Sequence, residues 1–216
     1  MTVRLNDYFG HRFTDGDLAP WKEIPTAFIS DQLNRRGAMH ASIKPVRTGM
    51  KMVGQALTIR MPPGDNSVLH YGVARGWPGA VAVVAAEGYE RAASWGGIVN
   101  HAARVRGFVG AVTDGVVRDA QELRSSSLAV FGKGAVPAGP MRLGNGEVNT
   151  VVQCGGLNVS PGDLIVGDDD GVVVVPIAQM AEVLEACRAM AAREEVIRSR
   201  IDAGELTIEI HGMPQS

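Results

Sequence analysis

The sequence predicts a single α/β domain over residues 1–216, and three observations carry that expectation. Gly79-Ala-Val-Ala-Val-Val-Ala-Ala86, entered through a Pro-Gly pair, is a continuous apolar run of the kind that forms a strand buried on both faces. Strand-like runs alternate with helix-like segments through the first two thirds of the chain, which implies βαβ units and some parallel pairing. A long amphipathic segment, residues 177–201, then closes the domain as a helix.

The elements follow in order. Residues 26–36 read as a helix started at Pro25 and stopped at Gly37. Residues 53–61 alternate loosely as a strand that ends at Pro62-Pro63-Gly64, after which Asp65, Asn66 or Ser67 can cap a helix to Arg75. Beyond the buried run at 79–86 come a helix over 96–105, a second buried strand over 108–113 and a short third strand over 128–131. From Glu147 the pattern changes to short strands at 148–153, 157–159, 164–166 and 172–175. Pro161-Gly162-Asp163 and Asp168-Asp-Asp-Gly171 are turn chemistry between them. In the last helix Ile177, Met180, Leu184, Cys187, Met190 and Ile197 share one face, and the opposite charged face is either solvated or a subunit contact. Residues 204–216 carry little structural signal.

Composition removes several function classes. With 21 basic and 23 acidic residues the net charge is −2, so no positive excess favours nucleic acid. The longest apolar stretch, 79–86, is too short for a bilayer, and no basic-then-apolar leader opens the chain. Cys154 and Cys187 match no metal or redox spacing. A reduced, cytoplasmic protein is expected. The 27 glycines serve mainly turns, and some can let backbone approach a ligand.

Candidate chemistry concentrates in Asp114-Gly-Val-Val-Arg118-Asp119-Ala-Gln-Glu122, directly after a buried strand, where ligands bind in open α/β sheets. Arg118 can hold a carboxylate through two hydrogen bonds. Asp119 can ligate a hard cation such as Mg²⁺ or Mn²⁺, and Glu122 returns to the same side if a helical turn begins there. A surface ion pair with a helix cap is the plain alternative. One strand–helix unit upstream, Trp95-Gly96-Gly97-Ile98 leads into a helix whose free amides can hold an anion; close helix–strand packing is the alternative there. No nucleophile elbow, phosphate loop or metalloprotease motif is present. The five histidines do not cluster, although His70 and His101 fall on helices near the proposed pocket. Asp168 to Gly171 lacks the spacing and terminal Glu of a calcium loop and reads as a hairpin turn.

These residues carry a resemblance. From about Ile24 to Arg200 the chain resembles the class II pyruvate aldolases of the 4-hydroxy-4-methyl-2-oxoglutarate/4-carboxy-4-hydroxy-2-oxoadipate type, which share a family with the RraA regulators of ribonuclease activity. The resemblance rests on Gly64-Asp65-Asn66, Asp114-Gly-Val-Val-Arg-Asp119, Gly146-Glu-Val-Asn149, Cys154-Gly-Gly156 and Pro161 through Pro176. It implies a layered α/β/β/α swivelling domain with a mixed sheet, assembled as trimers or hexamers with sites between subunits. It implies a divalent cation on Asp119, Arg118 against the pyruvyl group, and a carboxylate grip by backbone amides at Gly96, Gly97, Ile98 and Val99. An acidic residue from a neighbouring subunit, here Glu194 or Glu195, is expected to reach the site, with Asp31 a second candidate. One position departs: relatives have an acidic residue twenty-one positions before the Arg, and this chain has Gly97. Glu87 and Glu90 are the nearby carboxylates that could replace it.

The expected activity is cleavage of 4-hydroxy-2-oxo acids to pyruvate, or decarboxylation of oxaloacetate, through a stabilised enolate. Decarboxylation needs only the enolate-stabilising half and is the activity most compatible with Gly97. The competing expectation is an RraA-like protein-binding regulator, in which the Asp after the Arg is typically absent. Methyl transfer is disfavoured because no glycine-rich nucleotide loop follows the first strand.

Overall fold

The computed structural model describes residues 2–214; Met1 and the last two residues of the weakly specified tail, Gln215 and Ser216, lie outside the described residues. Its elements run β1 (Thr2–Leu5), α1 (Asp15–Leu18), α2 (Thr26–Gln32), β2 (Lys44–Pro45), β3 (Met52–Arg60), α3 (Ser67–Arg75), β4 (Ala80–Ala85), α4 (Gly97–Val105), β5 (Gly110–Thr113), α5 (Ala120–Ser125) and β6 (Ala129–Gly132). They continue with β7 (Asn145–Val148), β8 (Val152–Cys154), β9 (Leu157–Val159), β10 (Leu164–Asp168), β11 (Gly171–Val175), α6 (Met180–Asp202) and α7 (Thr207–Ile210).

Nine strands form one mixed sheet in the order β1-β7-β3-β4-β5-β6-β2, with β10 also on β3 and β11 on β10. Its centre, β3-β4-β5-β6, is parallel, so four strand carboxyl ends open on one edge. β3 divides one flank between two antiparallel partners: its first half pairs with β10 and its last two residues with β7.

The apolar run behaves as its composition demands. In β4, Ala80, Ala82 and Val84 point into a core with α3 and α4, while Val81, Val83 and Ala85 point into another with β8, β9 and Phe131. A third core joins β10 and β11 to α2 and the first half of α6. Helices, sheet, hairpin and helices therefore stack as layers, each burying the apolar face that period-2 or period-3.6 patterning creates. No helix of the described residues is long and apolar enough to cross a membrane.

Several boundaries differ from expectation. The expected strand at 148–153 is two strands, because Asn149 takes a left-handed φ of 54° and turns the chain between β7 and β8. The helix expected over 26–36 stops at Gln32, and left-handed Asn34 and Arg35 make the reversal instead of Gly37. β1 and β2 were not expected; both are short, and only β7 and β6 define them. Asp168 to Gly171 is the two-residue hairpin that joins β10 to β11. Two of its three carboxylates serve structure: Asp168 accepts from Thr26 N (2.9 Å) and Oγ1 (2.7 Å), and Asp169 from Gly49 N (2.7 Å). Asp65 is a similar tie, accepting from the amides of Ser67, Leu143 and Asn145.

Candidate active site

The site is built where the chain leaves the carboxyl ends of β4 and β5. Thr113, the last residue of β5, shares a buried 2.8 Å hydrogen bond with Ser94, and its Oγ1 accepts from Gly115 N at 3.0 Å. Ser94 also donates through Oγ to Val116 O at 3.0 Å. This polar knot holds the loop after β4 against the loop after β5. A short parallel ladder continues it: Ser94 N donates to Val116 O, Arg118 N to Trp95 O, Val117 N to Gly134 O, and Val136 N to Val117 O. Trp95, Val117 and Ala135 thus lie side by side beyond the sheet.

The ladder puts Arg118 next to Gly96. A Cβ on Gly96 would stand 3.0 Å from both Arg118 Cγ and Asp119 Oδ2, and one on Gly139 would stand 2.5 Å from Arg118 Nη1. Arg118 therefore passes between two positions where side chains are missing. Trp95 anchors the turn from beneath: its Nε1 donates to Asn100 Oδ1 (3.2 Å), and Asn100 Nδ2 donates to Ser126 Oγ (2.9 Å).

Asp119 precedes α5 with φ 57° and ψ 39°, the left-handed region that costs a non-glycine residue about 1–2 kcal/mol. Asp is among the few side chains that tolerate it. Gly97 N donates to Asp119 Oδ2 at 2.9 Å, and Arg118 Nε lies 3.5 Å from the same oxygen. Both side chains are about two-fifths exposed, at 38% and 41%. An ion pair that open contributes at most about 1 kcal/mol to folding, so stability alone does not account for the arrangement. Asp119 Oδ1 has no hydrogen-bond partner among the described residues.

The amides of Ile98 and Val99, the second and third residues of α4, have no acceptor among the described residues. They point from a helix N-terminus that carries a partial positive charge. Glu122 sits in the first turn of α5, and with Asp119 it lines an open cavity of about 510 Å³. A side chain at position 97 would meet Glu122 first: a Cβ there would be 2.6 Å from its Cδ and 2.8 Å from its Oε1. The carboxylate that fills the space at Gly97 is thus Glu122, and neither Glu87 nor Glu90, the latter pairing with Lys133 at 3.2 Å.

Other expected site residues lie elsewhere. Asp114 Oδ1 accepts from Ala86 N at 2.6 Å and ties β5 to the end of β4. Burial raises its carboxyl, and hydrogen bonds from the Ala86 and Gly88 amides only partly oppose this. Asp31 and Glu194 line a separate cavity of about 860 Å³ between α2 and α6, and Glu195 lines a third with Glu194. One chain does not bring any of the three into the cavity of Asp119. His70 and His101 are exposed on α3 and α4 and line none of these cavities. Gly139 had no sequence signal, since its contact with Arg118 spans the whole β6 loop.

Comparison with known proteins identifies the family and the overall fold. The RraA-like family model, described as Aldolase/RraA, matches residues 26–174. A protein of Halalkalibacterium halodurans, provisionally named a 4-hydroxy-4-methyl-2-oxoglutarate aldolase, is 32% identical over 194 residues, covering 90% of this chain and 92% of its own. The crystal structure of an uncharacterised protein from Pseudomonas syringae superposes with a TM-score of 0.79 at 28% identity, over 91% of this chain and 97% of that one. A structure titled as the RNA-processing inhibitor RraA of Thermus thermophilus gives 0.65 at 30% identity, over 71% and 93%.

Proposed function

The chain belongs to the RraA-like family, and on that premise we propose that it is a divalent-cation-dependent lyase that releases pyruvate from 4-hydroxy-2-oxo acids, or carbon dioxide from oxaloacetate. The observation that carries this reading is the convergence of the Arg118 side chain, the Asp119 carboxylate and the unfilled Ile98 and Val99 amides on one open edge of the sheet.

Each group has a part. The amides of Ile98 and Val99 and the guanidinium of Arg118 hold the substrate carboxylate, as a helix N-terminus and a bidentate donor do. Arg118, aimed by its neighbours before substrate arrives, also lowers the energy of the enolate left when the C–C bond breaks. Asp119 offers a hard cation one carboxylate oxygen with no hydrogen-bond partner, and Glu122 lines the same cavity, while no group of three His, Cys, Asp or Glu is gathered among the described residues. One or two carboxylates with water completing the shell is the coordination that Mg²⁺ or Mn²⁺ accepts. When bound, such an ion supplies Lewis-acid charge toward the keto oxygen.

The site is open on one side, and Ile98 beside it is 74% exposed. In α6 the only buried residues are Val183 and Cys187, both in its first half. These features support a trimer or hexamer in which a neighbouring copy covers the site and turns Glu194, Glu195 or Asp31 toward it.

The test is pyruvate release from a panel of 4-hydroxy-2-oxo acids and from oxaloacetate, after chelation, with and without Mn²⁺. Cation-dependent release supports the reading. No release from any oxo acid, together with tight binding to a ribonuclease, would replace it with a regulator reading, the role by which the Thermus relative is named.

A further inference from the structure

We propose that Glu122 is the proton acceptor of the retro-aldol step, an inference that rests on the lyase reading above. Glu122 lies in the first turn of α5, three residues after Asp119. In that position a Glu ordinarily reaches back to the backbone amide before the helix and closes a capping box. Here no such bond forms, and Glu122 has no hydrogen bond or ion pair among the described residues. Its carboxylate instead lies over Gly97, in the volume a side chain there would occupy. Gly97 immediately precedes the two open amides, so Glu122 borders the place where those amides would hold an oxo acid. Asp119 Oδ2 is engaged by the Gly97 amide and faces Arg118. Glu122 is solvent-exposed and has no positive partner, whereas Asp119 faces Arg118 and is the proposed cation ligand, which leaves Glu122 as the carboxylate of this cavity available to take a proton.

The step balances without a co-reactant. The Glu122 carboxylate takes the proton of the C4 hydroxyl as the C3–C4 bond breaks. The hydroxyl oxygen becomes the carbonyl of the departing aldehyde or ketone, and the bonding pair moves into the pyruvate enolate. Protonated Glu122 then returns its proton to C3, which yields pyruvate and regenerates the carboxylate. Oxaloacetate decarboxylation breaks its bond without a hydroxyl proton, so it does not require this acceptance.

The experiment compares Glu122→Gln with the wild type on a 4-hydroxy-2-oxo acid and on oxaloacetate, with Mn²⁺ affinity measured by calorimetry. Gln keeps the shape and removes the base, and general-base loss is about 100-fold or more in turnover. The ratio of retro-aldol to decarboxylation turnover should therefore fall about 100-fold, with Mn²⁺ affinity shifting less than about tenfold. A second pair guards against a purely structural effect: Glu122→Ala empties the space, and adding Gly97→Asp puts a carboxylate back and should restore retro-aldol turnover at least tenfold. Equal loss of both activities, no loss in either, or no rescue by Gly97→Asp would overturn the assignment. If the wild type releases nothing from either substrate, the lyase reading itself fails instead.

Discussion

The amide of Gly97 donates a 2.9 Å hydrogen bond to Oδ2 of Asp119, joining the first residue of α4 to the residue that opens α5. The bond holds a carboxylate in a left-handed backbone conformation, at the mouth of a cavity, beside an arginine. Local strain kept at such a place by neighbouring contacts makes Asp119 a candidate for function, which substitution can test.

Asp119 should separate function from folding. Asn can accept the Gly97 amide and tolerates the left-handed region, so Asp119→Asn should fold within about 0.5 kcal/mol of wild type. Ala loses the acceptor and tolerates φ of 57° poorly, and should cost about 1–2 kcal/mol. Both should lose cation-dependent pyruvate release, measured beside urea denaturation. Full turnover by Asp119→Asn would show that the charge is not used.

Gly139 should set the aim of Arg118. A methyl group there would stand 2.5 Å from Nη1, so Gly139→Ala must turn the guanidinium. We expect KM for the oxo acid to rise about tenfold, the equivalent of about 1.4 kcal/mol, with unfolding little changed because the residue is exposed. Steady-state kinetics decides it; an unaltered KM would mean that Arg118 does not contact the substrate.

Chelation should stop turnover and leave the fold intact, and Mn²⁺ or Mg²⁺ should restore activity. An ion that binds only the native state also adds about 2.7 kcal/mol of stability at a hundredfold excess over Kd and so raises the melting temperature. That thermal shift should vanish in Asp119→Ala. A shift of the same size in the variant would place the ion elsewhere.

Acid stability should depend on Asp65. Burial raises its carboxyl, but hydrogen bonds from Ser67, Leu143 and Asn145 together outweigh that and hold it below its ordinary value. A depressed carboxylate stabilises the fold above the unfolded pKa, about 4, and that stability is lost as pH falls through the folded value. Asp114 and Asp163 are raised by burial, so their contributions act in the opposite sense and weaken as pH rises through the raised values. Denaturation between pH 3 and 7 should show Asp65→Asn less stable at neutrality and less sensitive below about pH 4. An unchanged acid limb would rule Asp65 out.

Much of this molecule was legible in the chain. Continuous apolar residues at 79–86 announced a strand buried on both faces, and β4 indeed feeds two cores. The Arg118-Asp119 pair, after an apolar strand, pointed to the sheet edge where the structure gathers Arg118, Asp119 and the Gly97 amide. Periodicity reports burial, and burial is local enough to leave a trace in sequence. The tertiary structure alone decided how the loops meet. The ladder through Trp95, Val117 and Ala135, the slot between Gly96 and Gly139, and Glu122 over Gly97 join residues about 20 positions or more apart. No periodicity encodes such contacts, because parallel strands are connected by whole helices and their loops converge only when the sheet forms. The same reason moved the missing acid: the sequence pointed to Glu87 and Glu90, which are near Gly97 along the chain, while Glu122 is near it in space.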